Sequence, residues 1–370
     1  MKIGLNATCF NNRPSGAKQR FIGIYSKLFP RMKSDSFIVY EPVDCAVSEW
    51  FDHHDNVIYV KTPLHSERRY QKYVYGVFYW PKVFEVQKFD IFETFSLPLV
   101  REKKVVLFLT IHDIRGVYLN DGWIKRIFYS AILRYSIKNS DYIITVSNYM
   151  KNEIYSRFPG TPISTIYNGI NIKDVHRKNS VDVGGVFKRF DLSNKYLLSV
   201  GHFELRKNYS TLIKALKILH DMGKKESIVI VGNDSGEINT IIELSKSLGL
   251  SKYVTILSGI TDNELGLIYQ NAKIFIFPSL YEGFGIPILE AMKAKIPIVL
   301  SDIPVFKEIV GNNGVYFNCH EPESIAYAIN GVITSKGESE RLVQNGLEKV
   351  KKFDFCNVSE KLQILYNKNR

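Results

Sequence analysis

The chain of 370 residues is long for one hydrophobic core, and its 45% hydrophobic content favours a globular protein of roughly two domains. Its net charge of +12 favours anionic partners such as phosphate, acidic lipid or nucleic acid, although solvated lysine faces alone could produce much of this excess. Four cysteines lie far apart and form no CxxC pair, which argues against a zinc site or a disulfide framework and fits a reducing cytoplasm. The N-terminus turns polar early and no apolar run is long, so we expect neither a signal peptide nor a membrane span, and any membrane contact would come from the inner face.

The first predicted strand, residues 3–9, continues through a turn into a helix over 17–28. In open α/β sheets, the loop between a first strand and a first helix commonly lies at the ligand edge. Ser15 and Gly16 stand directly at this helix start beside basic side chains, which favours a ligand role over that of a plain turn.

A basic and aromatic stretch over 66–84 follows two short predicted strands, and it is compatible with a helix up to Pro81. Basic charge interleaved with Tyr and Trp suits a membrane interface. The same composition would suit stacking against single-stranded nucleic acid. A core helix with a solvated basic edge explains the stretch equally well.

A continuous apolar strand over 105–111 leads into His112 and Asp113. The carboxyl end of a buried strand is where open α/β folds place their ligand groups, so this position favours a functional role for His112. Asp113 is expected to hold the imidazole in one tautomer. A helix over 123–140 and a strand over 142–146 follow.

The second half of the chain repeats the alternation of strands and helices after a mostly polar segment, which predicts a linker there. A strand over 196–200 leads into a loop with His202, Arg206 and Lys207. Such a loop is a suitable place to bind a diphosphate, although a charge pair on a loop is usually just solvated. Further strands are predicted over 228–231, 254–257 and 296–300, a helix over 262–270 and a turn over 304–309. The alternation in both halves predicts two parallel-sheet α/β domains.

The most informative stretch, residues 279–290, follows a predicted buried strand and opens a helix. Glu282 falls on the loop and Glu290 in the first helical turns, with a Gly-x-Gly turn and a proline between them. Two carboxylates can accept hydrogen bonds from vicinal hydroxyls, and glycines at a helix start let backbone N–H groups bind an anion. These features together predict a ligand with hydroxyls and phosphate, such as a sugar nucleotide.

Several motifs of other enzyme classes are absent from the sequence. No GxGxxG follows the first strand, and neither a Walker A sequence nor a GxSxG elbow occurs, which weakens dinucleotide, P-loop and acyl-hydrolase interpretations. No Asp-x-Asp pair occurs either, so we expect no metal clamp on a nucleotide diphosphate and no cofactor. Lysine, arginine and backbone amides would neutralise the phosphates instead.

The quoted residues resemble the retaining glycosyltransferases of family 4, which have the GT-B architecture of two Rossmann-like domains facing a cleft. The resemblance covers nearly the whole chain, and residues 278–291 closely match the E-x7-E signature of the family. Residues 201–208 are similar to its phosphate-binding loop. This sequence departs from the family pattern at His202, where an arginine is frequent, and at Lys295, where a glycine is common.

At matching positions the resemblance implies specific roles. Glu282 would contact hydroxyls of the donor sugar and Glu290 the ribose hydroxyls, while Lys207 would bind the diphosphate. His112 would touch the donor sugar near the reacting carbon. The implied catalytic residues are His112, Glu282 and Lys207. The implied donor-binding residues are Ser15, Gly16, His202, Arg206, Lys207, Ile260, Glu282, Gly283, Phe284, Gly285, Ile286 and Glu290.

We therefore expect a metal-independent, retaining hexosyltransferase of cell-surface polysaccharide biosynthesis that acts by front-face substitution. A GDP- or UDP-linked sugar, with mannose as the first choice, would be the donor, and a glycan or lipid-linked molecule the acceptor. Peripheral membrane contact would occur through 66–84, and no nucleic acid is expected as a partner. The alternatives are a GT-B sugar-nucleotide epimerase and a non-catalytic sugar-binding or nucleic-acid-binding protein.

The same resemblance implies how the chain divides into domains. The expected parts are an acceptor-binding domain over 1–175, a linker over 176–194, a nucleotide-sugar-binding domain over 195–352 and a C-terminal helix over 353–370 that packs back on the first domain.

Overall fold

The computed structural model of the protein describes residues 1–118, 122–172, 185, 188–190, 192 and 195–369. In chain order, the strands are β1 (Lys2–Asn6), β2 (Ser36–Glu41), β3 (Val57–Lys61), β4 (Ile91–Thr94), β5 (Val106–Ile111), β6 (Tyr142–Thr145), β7 (Ile163–Thr165), β8 (Tyr196–Val200), β9 (Ile228–Val231), β10 (Val254–Leu257), β11 (Ala272–Phe277), β12 (Ile298–Ser301) and β13 (Val315–Phe317). The α-helices are α1 (Gly16–Arg31), α2 (Arg69–Gln87), α3 (Trp123–Asn139), α4 (Asn148–Arg157), α5 (Tyr209–Asp221), α6 (Ile238–Ser247), α7 (Asp262–Asn271), α8 (Ile286–Lys293), α9 (Pro304–Val310), α10 (Pro322–Thr334), α11 (Lys336–Val350) and α12 (Phe355–Lys368).

The chain folds into two compact units. The first contains Met1–Gly169 together with Asp354–Arg370, and the second contains Ile170–Phe353. The second unit thus begins before the expected residue 195. At its start, the Ile170 N–H donates to the Phe353 carbonyl oxygen at 2.9 Å. Most of the predicted linker, 176–194, lies outside the described residues.

The first unit is built on a parallel sheet with the strand order β3-β2-β1-β4-β5-β6-β7. The inner strand β5 has the sequence VLFLTI and is buried along nearly its whole length, as expected for a parallel strand that is covered on both faces. On one face, the Trp80 and Phe84 rings of α2 pack against Phe92 of β4, with ring centroids 5.2 and 4.9 Å apart. The other face is covered by α1 and α12, whose buried side chains form one core with those of β1 and β2.

Helix α12 packs on α1 although the two helices lie at opposite ends of the sequence. Gly23 of α1 provides the space, since a Cβ atom there would lie only 2.1 Å from the ring of Phe355. Val358, Leu362 and Tyr366 of α12 are also buried in the core of the first unit. The last helix is therefore a structural part of the unit that the N-terminus begins.

The second unit contains a parallel sheet with the strand order β10-β9-β8-β11-β12-β13. Strand β11, with the sequence AKIFIF, lies in the middle and is almost entirely buried. In parallel sheets the carboxyl ends of all strands meet at one edge. The loops that follow β8, β10 and β11 therefore lie at the same edge of this sheet, and they carry most of the predicted donor-binding residues.

No helix within the described part of the chain is both long and apolar enough to cross a membrane.

Candidate active site

The Glu282 carboxylate lies on the loop between β11 and α8, and it is nearly buried at 8% exposure. Its Oε1 atom lies 2.6 Å from Lys207 Nζ and 2.7 Å from Arg206 Nη1, and it accepts a 2.9 Å hydrogen bond from Ser279 Oγ. Burial alone would raise the pKa of Glu282, but the two cations outweigh it and lower the pKa to about 2. Glu282 is therefore a fixed carboxylate, and its Oε2 atom forms no hydrogen bond within the described residues.

Lys207 is a buried residue of the segment 201–208, which resembles a phosphate-binding loop. It ends the short 3-10 turn Leu205–Lys207 after β8, and its Nζ atom also lies 4.4 Å from the centroid of the Phe277 ring. Burial lowers the pKa of Lys207, and the neighbouring Glu282 carboxylate opposes this effect by favouring the charged form. Gly201 lets the lysine chain pass, since a Cβ atom at Gly201 would lie 2.8 Å from Lys207 Cε.

Arg206, the neighbour of Lys207 in sequence, contacts both the loop after β8 and the loop after β11. Its Nη2 atom forms an ion pair with Glu204 Oε1 at 2.6 Å, and its Nη1 atom donates to the Tyr281 carbonyl oxygen at 3.1 Å. Its own carbonyl oxygen accepts a 2.8 Å hydrogen bond from the Leu280 N–H. These contacts hold the loop after β8 against the loop after β11, so the carboxylate and both cations keep a fixed relative position.

Glu290 lies on α8, and its carboxylate is held by a hydrogen bond from a neighbouring helix. Its Oε2 atom accepts a 2.8 Å hydrogen bond from the Tyr269 hydroxyl of α7. Burial, followed by the charge of Glu290, raises the pKa of Tyr269 well above its usual value, so the hydroxyl remains a proton donor. Tyr269 thus orients the carboxylate that the resemblance assigns to the ribose.

The loop before α8 ends in a glycine with left-handed backbone geometry at the helix start. Gly285 adopts a φ of +99°, which is in the left-handed region that favours glycine. No side chain caps the helix, and Pro287 occupies its first turn. Phe284 is buried and packs edge-on against Phe353, with centroids 5.8 Å apart.

The remaining predicted residues of the second unit lie on neighbouring loops. His202 follows Gly201 directly after β8 and is half-buried. Gly283 and Ile286 are buried in the loop and first turn around Gly285. Ile260 is half-buried in the loop after β10, next to Thr261, which caps α7.

The other predicted residues, Ser15, Gly16 and His112, belong to the first unit. Ser15 is exposed and caps α1 by accepting a 3.2 Å hydrogen bond from the Lys18 N–H, and Gly16 is exposed beside it. Within the described residues, His112 Nε2 is buried without a hydrogen-bond partner. Burial, aided by the charge of Arg20, lowers the pKa of His112 to about 3, so the imidazole is neutral at physiological pH.

The predicted role of Asp113 in holding the His112 tautomer is wrong for this structure. Asp113 Oδ1 instead accepts a 3.1 Å hydrogen bond from the Arg115 N–H and lies 3.7 Å from Arg115 Nε. The carboxylate therefore caps the turn that follows His112, because a short Asp side chain readily bonds the N–H two residues on.

The sequence did not indicate a buried polar network of the first unit. Arg20 Nη1 donates to the Tyr167 carbonyl oxygen at 2.5 Å and to Asn168 Oδ1 at 3.2 Å. The Glu93 carboxylate accepts hydrogen bonds from Tyr25, Tyr366 and Thr110. Burial raises the pKa of Glu93, although these hydrogen bonds and the charge of Arg20 oppose the shift.

Ser279 and Tyr269 are the positioning residues of the second unit that the sequence did not reveal. Ser279 lies within the E-x7-E stretch, three residues before Glu282, and this spacing was the available signal. Tyr269 offered no comparable signal, since it lies in a different helix from Glu290. Within the described residues, no group of three or more His, Cys, Asp or Glu side chains is arranged to hold a metal ion.

Two family models match the chain in succession. The model described as Glycosyltransferase Family 4 matches residues 37–174, and the model described as Glycosyl transferases group 1 matches residues 187–349. Both models name glycosyltransferase domains, and the second match contains the loops around Lys207 and Glu282.

Two curated relatives are similar to this chain, each over somewhat more than 60% of its length. The O-antigen chain mannosyltransferase RfbU of Salmonella typhimurium is 31% identical over 239 residues, which are 64% of this chain and 62% of RfbU. The O-antigen chain mannosyltransferase B of Escherichia coli is 27% identical over 229 residues, which are 61% of this chain and 60% of that protein. The chain thus matches less than two thirds of the length of either relative.

A solved structure extends the comparison to the whole chain. HepE from Anabaena, in complex with UDP and glucose, superimposes with a TM-score of 0.76 at 17% identity, and the match covers 99% of each chain. At this identity the likeness establishes the fold, which is the GT-B fold. The chain belongs to the GT-B glycosyltransferases in which a family 4 domain is followed by a group 1 domain.

Proposed function

We propose that the protein is a retaining hexosyltransferase that moves a sugar from a nucleotide diphosphate sugar to a glycan or lipid-linked acceptor of a cell-surface polysaccharide. The observation that carries this proposal is the arrangement around Glu282. One carboxylate oxygen is fixed by Lys207, Arg206 and Ser279, while the other forms no hydrogen bond within the described residues. Such an oxygen can accept a hydrogen bond from a sugar hydroxyl beside cations that suit a diphosphate.

Mannose is our first choice of donor sugar. RfbU and mannosyltransferase B are both named O-antigen chain mannosyltransferases, which supports a mannosyl unit and a polysaccharide product. HepE was solved with UDP and with glucose, so UDP-sugars are the next donors to test. GDP-mannose therefore leads the panel and UDP-glucose follows.

The electrostatics of the second unit favour front-face substitution over a covalent intermediate. A carboxylate with a pKa of about 2 that is already paired with two cations is a weak nucleophile and a weak base. In the proposed step, the acceptor oxygen bonds to the anomeric carbon on the face from which the diphosphate leaves. The acceptor proton passes to the departing phosphate oxygen, and Lys207 stabilises the negative charge that grows on the diphosphate.

We further propose that the reaction needs no metal ion. Support comes from the sequence, which lacks an Asp-x-Asp pair, and from the two cations, Arg206 and Lys207, at the loop that follows β8. Chelation with excess EDTA should leave transfer unchanged, whereas a loss of activity that added Mg²⁺ or Mn²⁺ restores would contradict this part.

Peripheral membrane contact through 66–84 remains part of the proposal. The described side chains of this stretch are divided between two environments. Trp80 is buried against the first sheet, whereas Tyr75 and Phe78 are 59% and 68% exposed. One side of α2 therefore belongs to the core, and the other side is free to meet a lipid surface.

The experiment that tests the proposed function is a donor panel with the wild-type protein and short mannan or lipid-linked acceptors. Release of nucleoside diphosphate is measured with and without acceptor, and the anomeric configuration of the product is read by NMR. We expect acceptor-dependent release from one donor and retention of the donor configuration. An inverted product would contradict the retaining mechanism, and epimerisation of the nucleotide sugar without an acceptor would favour the epimerase alternative.

A further inference from the structure

Arg20 is a buried cation of the first unit that has no role in the proposed mechanism. It lies on α1, about one helical turn after Gly16, and is only 3% exposed. Burial lowers its pKa to about 10, and the charge of Glu93 opposes this effect, so the guanidinium stays charged at neutral pH. A buried charge is costly unless it is paired and hydrogen-bonded, so its contacts indicate what the charge serves.

The hydrogen bonds of Arg20 use only one of its nitrogen atoms. Nη1 donates to the Tyr167 carbonyl oxygen at 2.5 Å and to Asn168 Oδ1 at 3.2 Å. A guanidinium also carries N–H donors on Nη2 and Nε. Within the part of the chain that the structure describes, these two atoms donate no hydrogen bond and Arg20 forms no ion pair.

The nearby Glu93 carboxylate does not supply the missing partner. Its oxygen atoms accept hydrogen bonds from Tyr25, Thr110 and Tyr366, and it acts on Arg20 through its charge. Burial raises the pKa of Glu93 although the charge of Arg20 opposes the shift, whereas a firm ion pair would lower it. The Nη2 and Nε donors of Arg20 therefore remain for an anion that comes from outside the fold.

His112 points to the same face of the first sheet as Arg20. Thr110 of β5 donates to Glu93 Oε1 at 2.5 Å, and Glu93 Oε2 accepts a 2.9 Å hydrogen bond from Tyr25 of α1. The Thr110 side chain therefore lies on the face that α1 covers. Side chains alternate along a strand, so His112, two residues further on, points to that face as well.

Arg20 also reaches across the carboxyl end of β5, where His112 begins. Its hydrogen-bond partners Tyr167 and Asn168 follow β7, whereas Glu93 belongs to β4, and β5 and β6 lie between these strands in the sheet. Burial and then the charge of Arg20 lower the pKa of His112, as expected for neighbouring groups. Within the described residues, His112 Nε2 is buried without a hydrogen-bond partner. Two buried polar groups with unused hydrogen-bonding atoms therefore lie beside each other at this edge.

We propose that Arg20 is a substrate-binding residue of the first unit, which binds a phosphate group beside His112 through Nη2 and Nε. The planar fork of a guanidinium matches two oxygen atoms of a phosphate. This role rests on the proposed function, in which phosphate has two sources: the diphosphate of the donor and that of a lipid-linked acceptor. Either source brings anionic oxygen that the unused donors of Arg20 would bind.

A purely structural role would explain only the Nη1 side of Arg20. Tyr167 and Asn168 directly precede the end of the first part of the first unit at Gly169, and Arg20 holds both. Both partners are neutral oxygen atoms, which a neutral amide could bond at a lower desolvation cost. The charge of Arg20 therefore favours an anionic ligand over support of this segment alone.

The test is isothermal titration calorimetry of the full-length protein with two classes of probe. GDP-mannose and UDP-glucose represent the donor, and farnesyl diphosphate represents a lipid-linked acceptor. Arg20→Met is made together with Glu93→Gln, so that no buried carboxylate loses its counter-charge, and Glu93→Gln alone is the reference. The double variant should bind one class of probe at least about tenfold more weakly than the reference. The class that is weakened identifies the source of the phosphate.

Two control variants separate phosphate binding from other effects of Arg20. Asn168→Ala removes one hydrogen bond of Nη1 but keeps the cation, so it should bind both classes of probe like the wild type. Arg126→Met, at an exposed position on α3 of the same unit, controls for net charge and should also bind like the wild type. Equal affinities of the double variant and its reference for both classes would overturn the proposal. So would an equal loss of affinity in Asn168→Ala.

These results are distinguishable from failure of the proposed function. Calorimetry measures binding without turnover, whereas the proposed function is judged by nucleoside diphosphate release from the wild type. Sugar transfer by the wild type, with equal probe binding by the double variant and its reference, would remove the role of Arg20 alone. Binding that depends on Arg20, in a protein that transfers no sugar, would contradict the proposed function and keep the phosphate site.

Discussion

Lys207 and Glu282 are 75 residues apart in sequence, yet Lys207 Nζ lies 2.6 Å from Glu282 Oε1 in the second unit. The charges of this cluster nearly cancel, because two cations, Arg206 and Lys207, form ion pairs with two carboxylates, Glu204 and Glu282. A diphosphate that binds here would meet cations that are already oriented by carboxylates. Preorganised charge of this kind acts in the transition state without a cost for reorienting the groups.

Replacement of Lys207 tests whether its charge assists departure of the diphosphate. Lys207→Met keeps most of the side-chain volume and removes the charge, so turnover should fall by about a hundredfold or more. Lys214→Met is the control, because Lys214 is exposed on α5 of the same unit. Nucleoside diphosphate release by the two variants gives the comparison, and equal turnover would exclude Lys207 from the chemistry.

The lowered pKa of Glu282 also predicts how stability depends on pH. The folded protein holds this pKa at about 2, against an ordinary value of 4.5, so folding favours the ionised form. Its contribution to stability is therefore complete above about pH 4.5 and is lost as pH falls towards about 2. The free energy of unfolding of Glu282→Gln should consequently fall less over this range than that of the wild type.

Far-UV circular dichroism during urea unfolding is the suitable measurement, because all three tryptophans, Trp50, Trp80 and Trp123, belong to the first unit. Glu243→Gln, at an exposed position of the second unit, is the control and should retain the wild-type pH dependence. Parallel acid profiles for the wild type and Glu282→Gln would show that the ion pairs around Glu282 do not favour its ionised form.

At the scale of elements, the packing of α1 against α12 depends on one missing side chain. Gly23→Ala would place a Cβ atom 2.1 Å from the Phe355 ring, so the ring or the helix must shift. We expect a loss of about 1–3 kcal/mol in the free energy of unfolding of the first unit, as for other overpacked sites. Urea unfolding followed by tryptophan fluorescence reports on this unit directly.

Gly76→Ala in α2 is the matched control for Gly23→Ala. An added Cβ atom at Gly76 would make only an ordinary 3.6 Å contact with Trp80. Alanine also restricts the unfolded chain more than glycine does, so this variant should be neutral or more stable by up to about 1 kcal/mol. Similar destabilisation by both substitutions would mean that contact with Phe355 is not the cause.

The sequence predicted elements whose side chains are uniformly apolar, and it missed those whose polar residues are buried by distant partners. Strands β5 and β11 were predicted because each is a continuous apolar run. Strand β4, Ile91–Thr94, was not predicted, because Glu93 breaks the apolar pattern. The buried Glu93 carboxylate is satisfied by hydrogen bonds from α1, β5 and α12, which are remote in sequence. The predicted turn over 304–309 is wrong, since a proline at the first helical position opens α9 instead.

In the candidate site, too, some features could be predicted from the sequence and others could not. The E-x7-E spacing and the loop after β8 could be predicted, because each is contiguous in sequence. The contacts that Tyr269 and Arg206 make could not, because these side chains act between separate loops and helices. The tautomer role predicted for Asp113 failed for a related reason: its nearest partner is the backbone two residues on.

At the scale of the whole molecule, the chain forms two parallel-sheet units. It begins in the first unit, continues through the second and returns to the first at Asp354. In each unit the candidate residues follow the carboxyl ends of strands: His112 follows β5, Lys207 follows β8 and Glu282 follows β11. Alternation of strands and helices made two domains predictable from sequence. The division at Gly169 and Ile170 was not predictable, because the contacts of Ile170 with the second unit, such as its hydrogen bond to Phe353, join residues that are remote in sequence.

The most direct test of the central claim compares nucleoside diphosphate release by the wild type and by Glu282→Ala, with GDP-mannose, UDP-glucose and related donors and a glycan acceptor. The account predicts acceptor-dependent release by the wild type from at least one donor. Glu282→Ala should show a rate lower by about a hundredfold or more while the protein remains folded, because the sugar loses its fixed carboxylate. Release from no donor, or full activity of Glu282→Ala, would contradict the account.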